Sequence, residues 1–329
     1  MGAGTSFAGY GAVQMSDLPG DNRIALEAQA VPGWASMYGI GYQYSGFRPT
    51  LFISLQAMSW NQMALVQSYL STKSYQYPPL LRDIYAASVG MSYPLDLYDR
   101  VELGVTAEQF TEVFPLDALG LAERHITYRI FPASLAIVRE TTRWHRLMPV
   151  QGYRIRLGAS QTVPAGSSSL LLTEYNGESQ WYYGFLEDFA LATRLWGAAS
   201  QGRNRRYFFL GGRYSLRAFP SGAVMGNAAV LWNNELRASL VRHMNIRMPF
   251  LPILLTDLQA VGFIDAAAGI DTSSGMHPED YRPASVGGGL NIIGFMFQSQ
   301  PILFAIEVAR RIDEYQRRPT VYGRLGPVF

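Results

Sequence analysis

The chain has 329 residues, 27 Lys+Arg against 25 Asp+Glu, and no Cys. With 16% charged and 13% aromatic residues it is too apolar to be disordered, and at a mean hydropathy of +0.02 it is too polar for a bundle of membrane helices. No apolar run reaches the roughly 18 residues of a transmembrane helix, a disulfide framework is impossible, and near-neutral charge argues against a nucleic-acid partner.

In chain order, period-two alternation dominates. After a first segment at 7–15, residues 23–30 place Ile24, Leu26, Ala28 and Ala30 on one face. Residues 37–44 set Tyr38, Ile40, Tyr42 and Tyr44 against Gly39, Gly41 and Gln43. Residues 61–82 are long and polar and read as a loop. Val101, Leu103, Val105 and Ala107 then oppose Glu102, Gly104, Thr106 and Glu108. Across 110–146 the alternation weakens and the strand count is open. Tyr153, Ile155, Leu157 and Ala159 oppose Arg154, Arg156, Gly158 and Ser160. Successive side chains of a strand point to opposite faces, so each segment carries one apolar and one polar side.

A soluble antiparallel sheet alternates in the same way. Here the segments run to about 9–11 residues, the length that crosses a bilayer when tilted, and no amphipathic helix of comparable quality interrupts them. The polar faces mix small and charged residues, as a wet lumen tolerates. The expectation is an all-β, transmembrane antiparallel barrel with apolar residues toward lipid. Turn signals include Asp17-Leu18-Pro19-Gly20-Asp21, Pro49, Asp96–Asp99, Pro132, Pro149, Pro164, Asn176-Gly177, Pro249–Pro252, 271–283, 298–301 and 313–319. At about 20 residues per strand and turn the chain accommodates roughly 16 strands. Trp34, Tyr38, Tyr44, Trp60, Tyr93 and Trp144 sit near segment ends, where interfacial girdles place aromatics.

More specific signals begin at Arg206. Phe208-Phe209-Leu210-Gly211-Gly212-Arg213-Tyr214-Ser215-Leu216-Arg217-Ala218-Phe219 resembles the lid-loop signature of the BamA/TamA and two-partner-secretion transporter superfamily. Asn234-Glu235-Leu236-Arg237 resembles the strand that follows it. Phe263-Ile264-Asp265 resembles the next, with Ala267 where Gly is usual, and Gly287-Gly288-Gly289-Leu290-Asn291 resembles G-x-G-x-R with Asn291 in place of Arg. Pro149–Arg154 resembles the opening of a mid-barrel strand. The last strand carries Tyr322 and Gly323 and ends on Phe329, as outer-membrane barrels commonly do. Residues 9–21 also resemble the surface-antigen barrel found behind β-propeller domains.

The resemblance implies one bacterial outer-membrane barrel over residues 1–329, monomeric, with a lid at about 202–226, and no periplasmic domain ahead of it in this chain. It implies non-enzymatic insertion or translocation of protein or lipid, with outer-membrane lipids and a protein substrate or attached periplasmic domain as partners. The rival readings are a passive porin-like channel and a soluble β-rich binding or structural protein. In the lid reading, Arg217 grips Asp265, with Glu235 as second choice, Phe219 wedges beside the pair, and Ala218 keeps the backbone out of positive φ.

No enzyme constellation accompanies these motifs. His125, His145, His243 and His277 are scattered without a metal-ligand spacing, and Ser167–Ser169 lacks a hydrolase elbow. Neither a metal nor another cofactor is expected. Lumenal carboxylates such as Glu102, Glu108, Glu174 and Asp265 read as partners of arginines rather than as acid/base pairs.

Overall fold

The computed structural model describes residues 7–31, 35–61, 81–115, 123–145, 148–163, 171–186, 188–203, 205–220, 222–249, 251–270, 283–296, 300–312 and 318–326. Within them the chain is β throughout. The first half contains β1 (Phe7–Ser16), β2 (Asn22–Val31), β3 (Ala35–Tyr44), β4 (Thr50–Asn61), β5 (Leu81–Pro94), β6 (Asp99–Pro115), β7 (Glu123–Ile130), β8 (Pro132–Glu140), β9 (Arg143–His145) and β10 (Met148–Thr162). The second contains β11 (Thr173–Leu186), β12 (Phe189–Gln201), β13 (Phe208–Leu210), β14 (Val224–Gly226), β15 (Ala228–Val241), β16 (Ile246–Arg247), β17 (Ile253–Ile270), β18 (Ala284–Met296), β19 (Gln300–Arg311) and β20 (Thr320–Gly326). No described helix is long and apolar enough to cross a membrane.

All but β13 and β14 belong to a single sheet in which neighbours in sequence are neighbours in space. Both β7 and β8 pair with β6, at Glu108↔Ile130 and Val105↔Ala133, so they form one stave bent at Phe131. β9 prolongs that stave along the start of β10, and β16 prolongs β15 along the start of β17. Counted this way the described wall has fifteen staves rather than the expected sixteen. An odd number of antiparallel staves leaves the first and last running the same way, and β1 meets β20 in parallel, among the described residues over Phe7↔Gly323, Ala8↔Arg324 and Gly9↔Leu325.

Several turn signals behave differently in their tertiary setting. Asn176 and Gly177 are not a turn; they pair with Gly158 and Leu157 on one side and Ala198 and Gly197 on the other. The connection that does reverse the chain nearby, between β11 and β12, has neither Gly nor Pro. The 61–82 loop is shorter than expected, because β4 reaches Asn61 and β5 begins at Leu81; residues 62–80 lie outside the described set. So do 164–170, 271–282, 313–317 and Trp34. At the Asp96 turn, the N–H groups of Tyr98 and Asp99 donate to its carboxylate at 2.7 Å each, which holds that carboxyl below the usual range.

Outward rows set the height of the apolar wall. On β6 and its partners the outward residues run Asp99/Arg139, Val101/Ile137, Leu103/Leu135, Val105/Ala133, then Ala107, then Gln109/Arg129. Ten residues of β6 separate Asp99 from Gln109, about 33 Å along a strand at ~3.3 Å per residue. At a tilt of about 40° this is roughly 25 Å across the membrane, the height of an outer-membrane apolar band. Arg139, with Asp99 at 2.9 Å and the Tyr153 hydroxyl at 3.0 Å, marks one edge; Tyr153 stacks on Trp181 beside it. Inward rows are polar and paired: Glu102 binds Arg100 at 3.0 Å and Arg156 at 3.2 Å, and Ser88 meets Thr106 at 2.9 Å.

These rows refine what an outward arginine should do. Leu103→Arg, in the middle of the band, is expected to cost about 2–4 kcal/mol in folding titrations into lipid vesicles. Ile155 pairs with Arg139 at the edge, so Ile155→Arg should cost only about 0–1 kcal/mol. The inward Thr106→Arg should also be mild. Equal losses at Leu103 and Thr106 would contradict the assignment of faces.

Candidate functional site

The connection from β12 to β15, residues 202–226, is built as a hairpin of its own. Phe208↔Gly226, Phe209↔Met225 and Leu210↔Val224 pair β13 with β14. At its tip, Gly211 has φ 137, and the carbonyl of Pro220 fills the space where a β-carbon would stand; only glycine fits. The Gly211 N–H donates to Ser215 Oγ at 2.8 Å, Ser215 Oγ donates back to the Gly211 carbonyl at 2.7 Å, and the Gly212 N–H donates to the Phe219 carbonyl at 2.8 Å. The compact tip presents Leu216 and Phe219, both fully buried, to an apolar cluster on the inner wall that includes Leu231, Val261, Phe263, Ala267, Ala309 and Tyr322. Each such side chain is worth about 1.5–3 kcal/mol when fully withdrawn from water.

Between those two anchors stands Arg217. Its Nε and Nη2 each reach one oxygen of the Asp265 carboxylate at 2.7 Å, a two-bond fork that fixes orientation as well as charge. Nη1 donates to Glu235 at 3.0 Å, and Glu307 stands at 4.0 Å. Asp265 is 0% exposed; Asn233 Nδ2 supplies it a further bond at 2.8 Å and also donates to the Ser215 carbonyl at 2.8 Å. Arg237 holds the other oxygen of Glu235 at 2.7 Å, and Arg213 lies 3.5 Å from Glu307. Three arginines thus face three carboxylates, and the cluster is formally neutral.

Two features differ from expectation. The ring against the Arg217 guanidinium is Phe263, 3.4 Å from its centroid. Phe219 instead lies under Arg311, at 4.3 Å. Gly287 pairs with Phe263, and that ring occupies the place of its missing β-carbon. Ala218 does adopt a positive φ, 68°. Its N–H donates to the Tyr322 hydroxyl at 2.9 Å and its carbonyl accepts from Arg311 Nε at 3.1 Å. These two wall contacts hold a backbone shape that alanine alone disfavours.

A second foot stands at the base of the connection. Arg206 Nη2 reaches Glu108 of β6 at 2.6 Å, with Glu174 of β11 at 3.9 Å and Phe110 beneath its guanidinium at 5.6 Å. The 202–226 segment therefore crosses the interior, from β6 and β11 to β15–β20. A cavity of about 210 Å³ beside Arg217 is lined by Tyr182, Arg194, Arg237 and Glu307 among others.

Among the residues picked out from the sequence, Arg217, Asp265, Glu235, Arg237, Phe263, Gly211, Gly212 and Tyr322 meet here. Gly289 pairs with Val261 and Glu307 on the adjoining wall. Asn291 pairs with Gln259 and Ala305 further along the wall. Gly323 pairs with Ile306 and Phe7. Phe329 lies outside the described residues. Asn233, Glu307, Arg311 and Arg206 were missed; Asn233 shares the inward parity of Glu235 and Arg237 on β15, the one signal that points to it, and β19, which carries Glu307 and Arg311, holds no residue the motifs single out. No group of metal-ligating side chains is found among the described residues.

Two outcomes follow from the geometry. Ala218→Gly should raise stability by about 1 kcal/mol in thermal or denaturant unfolding, because glycine accepts positive φ without strain. Arg217→Ala should destabilise by about 3–5 kcal/mol, less where water enters. Adding Asp265→Ala should then cost little more, and strictly additive losses would show the two residues to be uncoupled.

Residues 33–313 match the Omp85 superfamily domain. No curated protein matches the chain. Among solved structures, BamA from Haemophilus ducreyi lacking POTRA domains 1–3 is similar at 15% identity and a TM-score of 0.68, covering 98% of this chain and 68% of that one. CdiB from Escherichia coli is similar at 11% identity and TM-score 0.64, covering 97% of this chain. CdiB from Acinetobacter baumannii follows at 13% and 0.57, covering 93%. The chain spans 59% and 53% of the two CdiB chains. At these identities the likeness speaks for the fold: an all-β antiparallel wall like those of BamA and CdiB. The match over residues 33–313 settles the family, and the chain is a bacterial outer-membrane protein of the Omp85 superfamily.

Proposed function

We propose that this barrel inserts proteins into the outer membrane or translocates them across it, without chemistry of its own. The 202–226 connection serves as its internal plug and the β1–β20 contact as its opening. The observation that carries this reading is the contrast between the two. The plug is held by the Arg217 fork and by Arg206 on the facing wall, whereas β1 and β20 run parallel and, among the described residues, share three backbone pairs. An unsatisfied strand edge in hydrocarbon is costly, and parallel pairing is slightly less stable per residue than antiparallel, so the one parallel junction among the described strands is where the wall opens with least loss. Residues 1–329 act as one barrel domain, and a periplasmic domain supplied with it recruits the substrate. The ion pairs of Glu102, Glu108 and Asp265 are structural in this reading.

The test uses the chain in liposomes. Folding of a urea-unfolded outer-membrane barrel added from outside should be faster than in empty liposomes. Ser215→Cys with Asn233→Cys, at residues that touch, ties the plug to the wall; oxidation should remove the acceleration and reduction restore it. A passive channel would instead show steady conductance in planar bilayers with the plug intact and no effect on substrate folding.

A further inference from the structure

On the lipid-facing side of β3–β7 the wall is hollowed. A cavity of about 830 Å³ lies there, floored by Ala57, Ala87 and Ala107 and walled by the half-exposed Tyr38, Leu55 and Tyr85. Register puts it at a definite depth. Tyr38, Ala57, Tyr85, Gln109 and Arg129 form one row across five strands. The row toward mid-membrane is Ile40, Leu55, Ala87 and Ala107, all apolar. The row on the other side is Ser36, Ser59, Asp83, Thr111 and Thr127, all polar. Arg129 and the two tyrosines therefore stand at the boundary of the apolar band on the side of the plug connection.

Arg129 is out of balance there. Its Nε donates to Gln109 Oε1 at 3.2 Å, and it has no carboxylate partner among the described residues. Asp83 stands one row out and two strands away and forms no ion pair with it. Its counterpart at the other edge, Arg139, is paired with Asp99. An outward arginine at a membrane boundary is stabilised by an anion supplied from the membrane itself. The alanine floor is the complement: Ala87 and Ala107 face each other across two strands, Ala57 lies diagonal to Ala87, and these small residues leave a trough of the size that takes a small ligand, open to the hydrocarbon.

We propose that this trough is a binding site for an anionic, phosphate-bearing membrane lipid. Its phosphate is gripped by the two terminal nitrogens of Arg129, the Tyr38 and Tyr85 rings flank its backbone, and an acyl chain lies along Ala57, Ala87 and Ala107. A guanidinium binds a phosphate through parallel charge-assisted bonds, so the site selects lipids whose net charge is negative over zwitterionic ones. The proposal depends on the chain's place in the membrane and not on the transport reading.

The chain is reconstituted in nanodiscs of phosphatidylcholine with a minor share of phosphatidylglycerol, and the lipid retained after release is counted by native mass spectrometry. The wild-type chain should retain phosphatidylglycerol in excess of its share, and Arg129→Gln should lower that excess roughly tenfold. Removing a charge from the lipid face does not threaten folding, which heat-modifiable gel migration checks. Arg139→Gln should leave the excess intact. Ala107→Phe fills the trough but keeps Arg129, and should also lower retention. The proposal is overturned if Arg129→Gln retains as much phosphatidylglycerol as wild type, or if Arg139→Gln loses as much as Arg129→Gln. Inorganic phosphate binding to the detergent-solubilised chain through Arg129, with no lipid retained, would make this a plain anion site and overturn the lipid assignment as well.

Discussion

A carboxylate with no exposure cannot remain charged inside a protein unless something of opposite sign is brought to it. Asp265 is that group, set in the middle of the longest strand and turned inward by its parity with Phe263 and Ala267. Nothing on its own strand can satisfy it. The partner comes from the tip of a hairpin that must cross the interior to arrive, and the other features of the tip can be read as consequences. Gly211 makes the turn sharp enough, Leu216 and Phe219 give it an apolar footing, and Gly287 leaves space for the ring that backs the guanidinium. The wall and the hairpin are mutually required: the wall without the hairpin has a bare charge, and the hairpin without the wall has a bare arginine and two exposed hydrophobic side chains.

The faces of the wall were readable because a strand repeats every two residues, and lipid on one side with water on the other labels each repeat. Leu103 and Val105 against Glu102 and Thr106 is such a case, and the structure leaves the first pair exposed and turns the second inward, to Arg156 and Ser88. The Arg217–Asp265 pairing was readable for another reason. Motifs in a familiar order tie two positions 48 residues apart that no local rule connects.

What escaped has equally definite causes. The stave count depended on whether the chain reverses at Phe131 or merely bends, and both look alike in a segment of weak alternation. Asn176-Gly177 carries strong turn chemistry, yet two neighbouring strands satisfy its backbone groups and keep it extended. Arg206 and Glu108 are 98 residues apart and belong to no shared motif. Ala218 takes a positive φ against its residue preference because the Tyr322 hydroxyl and the Arg311 guanidinium, neither of them near in sequence, together override it.

In the proposed reading, where the 202–226 hairpin is a plug that moves, that alanine also bears on how readily it leaves. The conformation it holds is unfavourable by about 1–3 kcal/mol, and only while the wall grips both its N–H and its carbonyl. Once those two contacts break, the peptide relaxes and returns that energy, which works against re-docking. The seated hairpin is in this respect a loaded spring rather than a resting stopper, and its hold is looser than its ion pairs alone would make it. Glycine at the same position would slacken the spring, so a sturdier barrel would also be one whose plug departs more slowly.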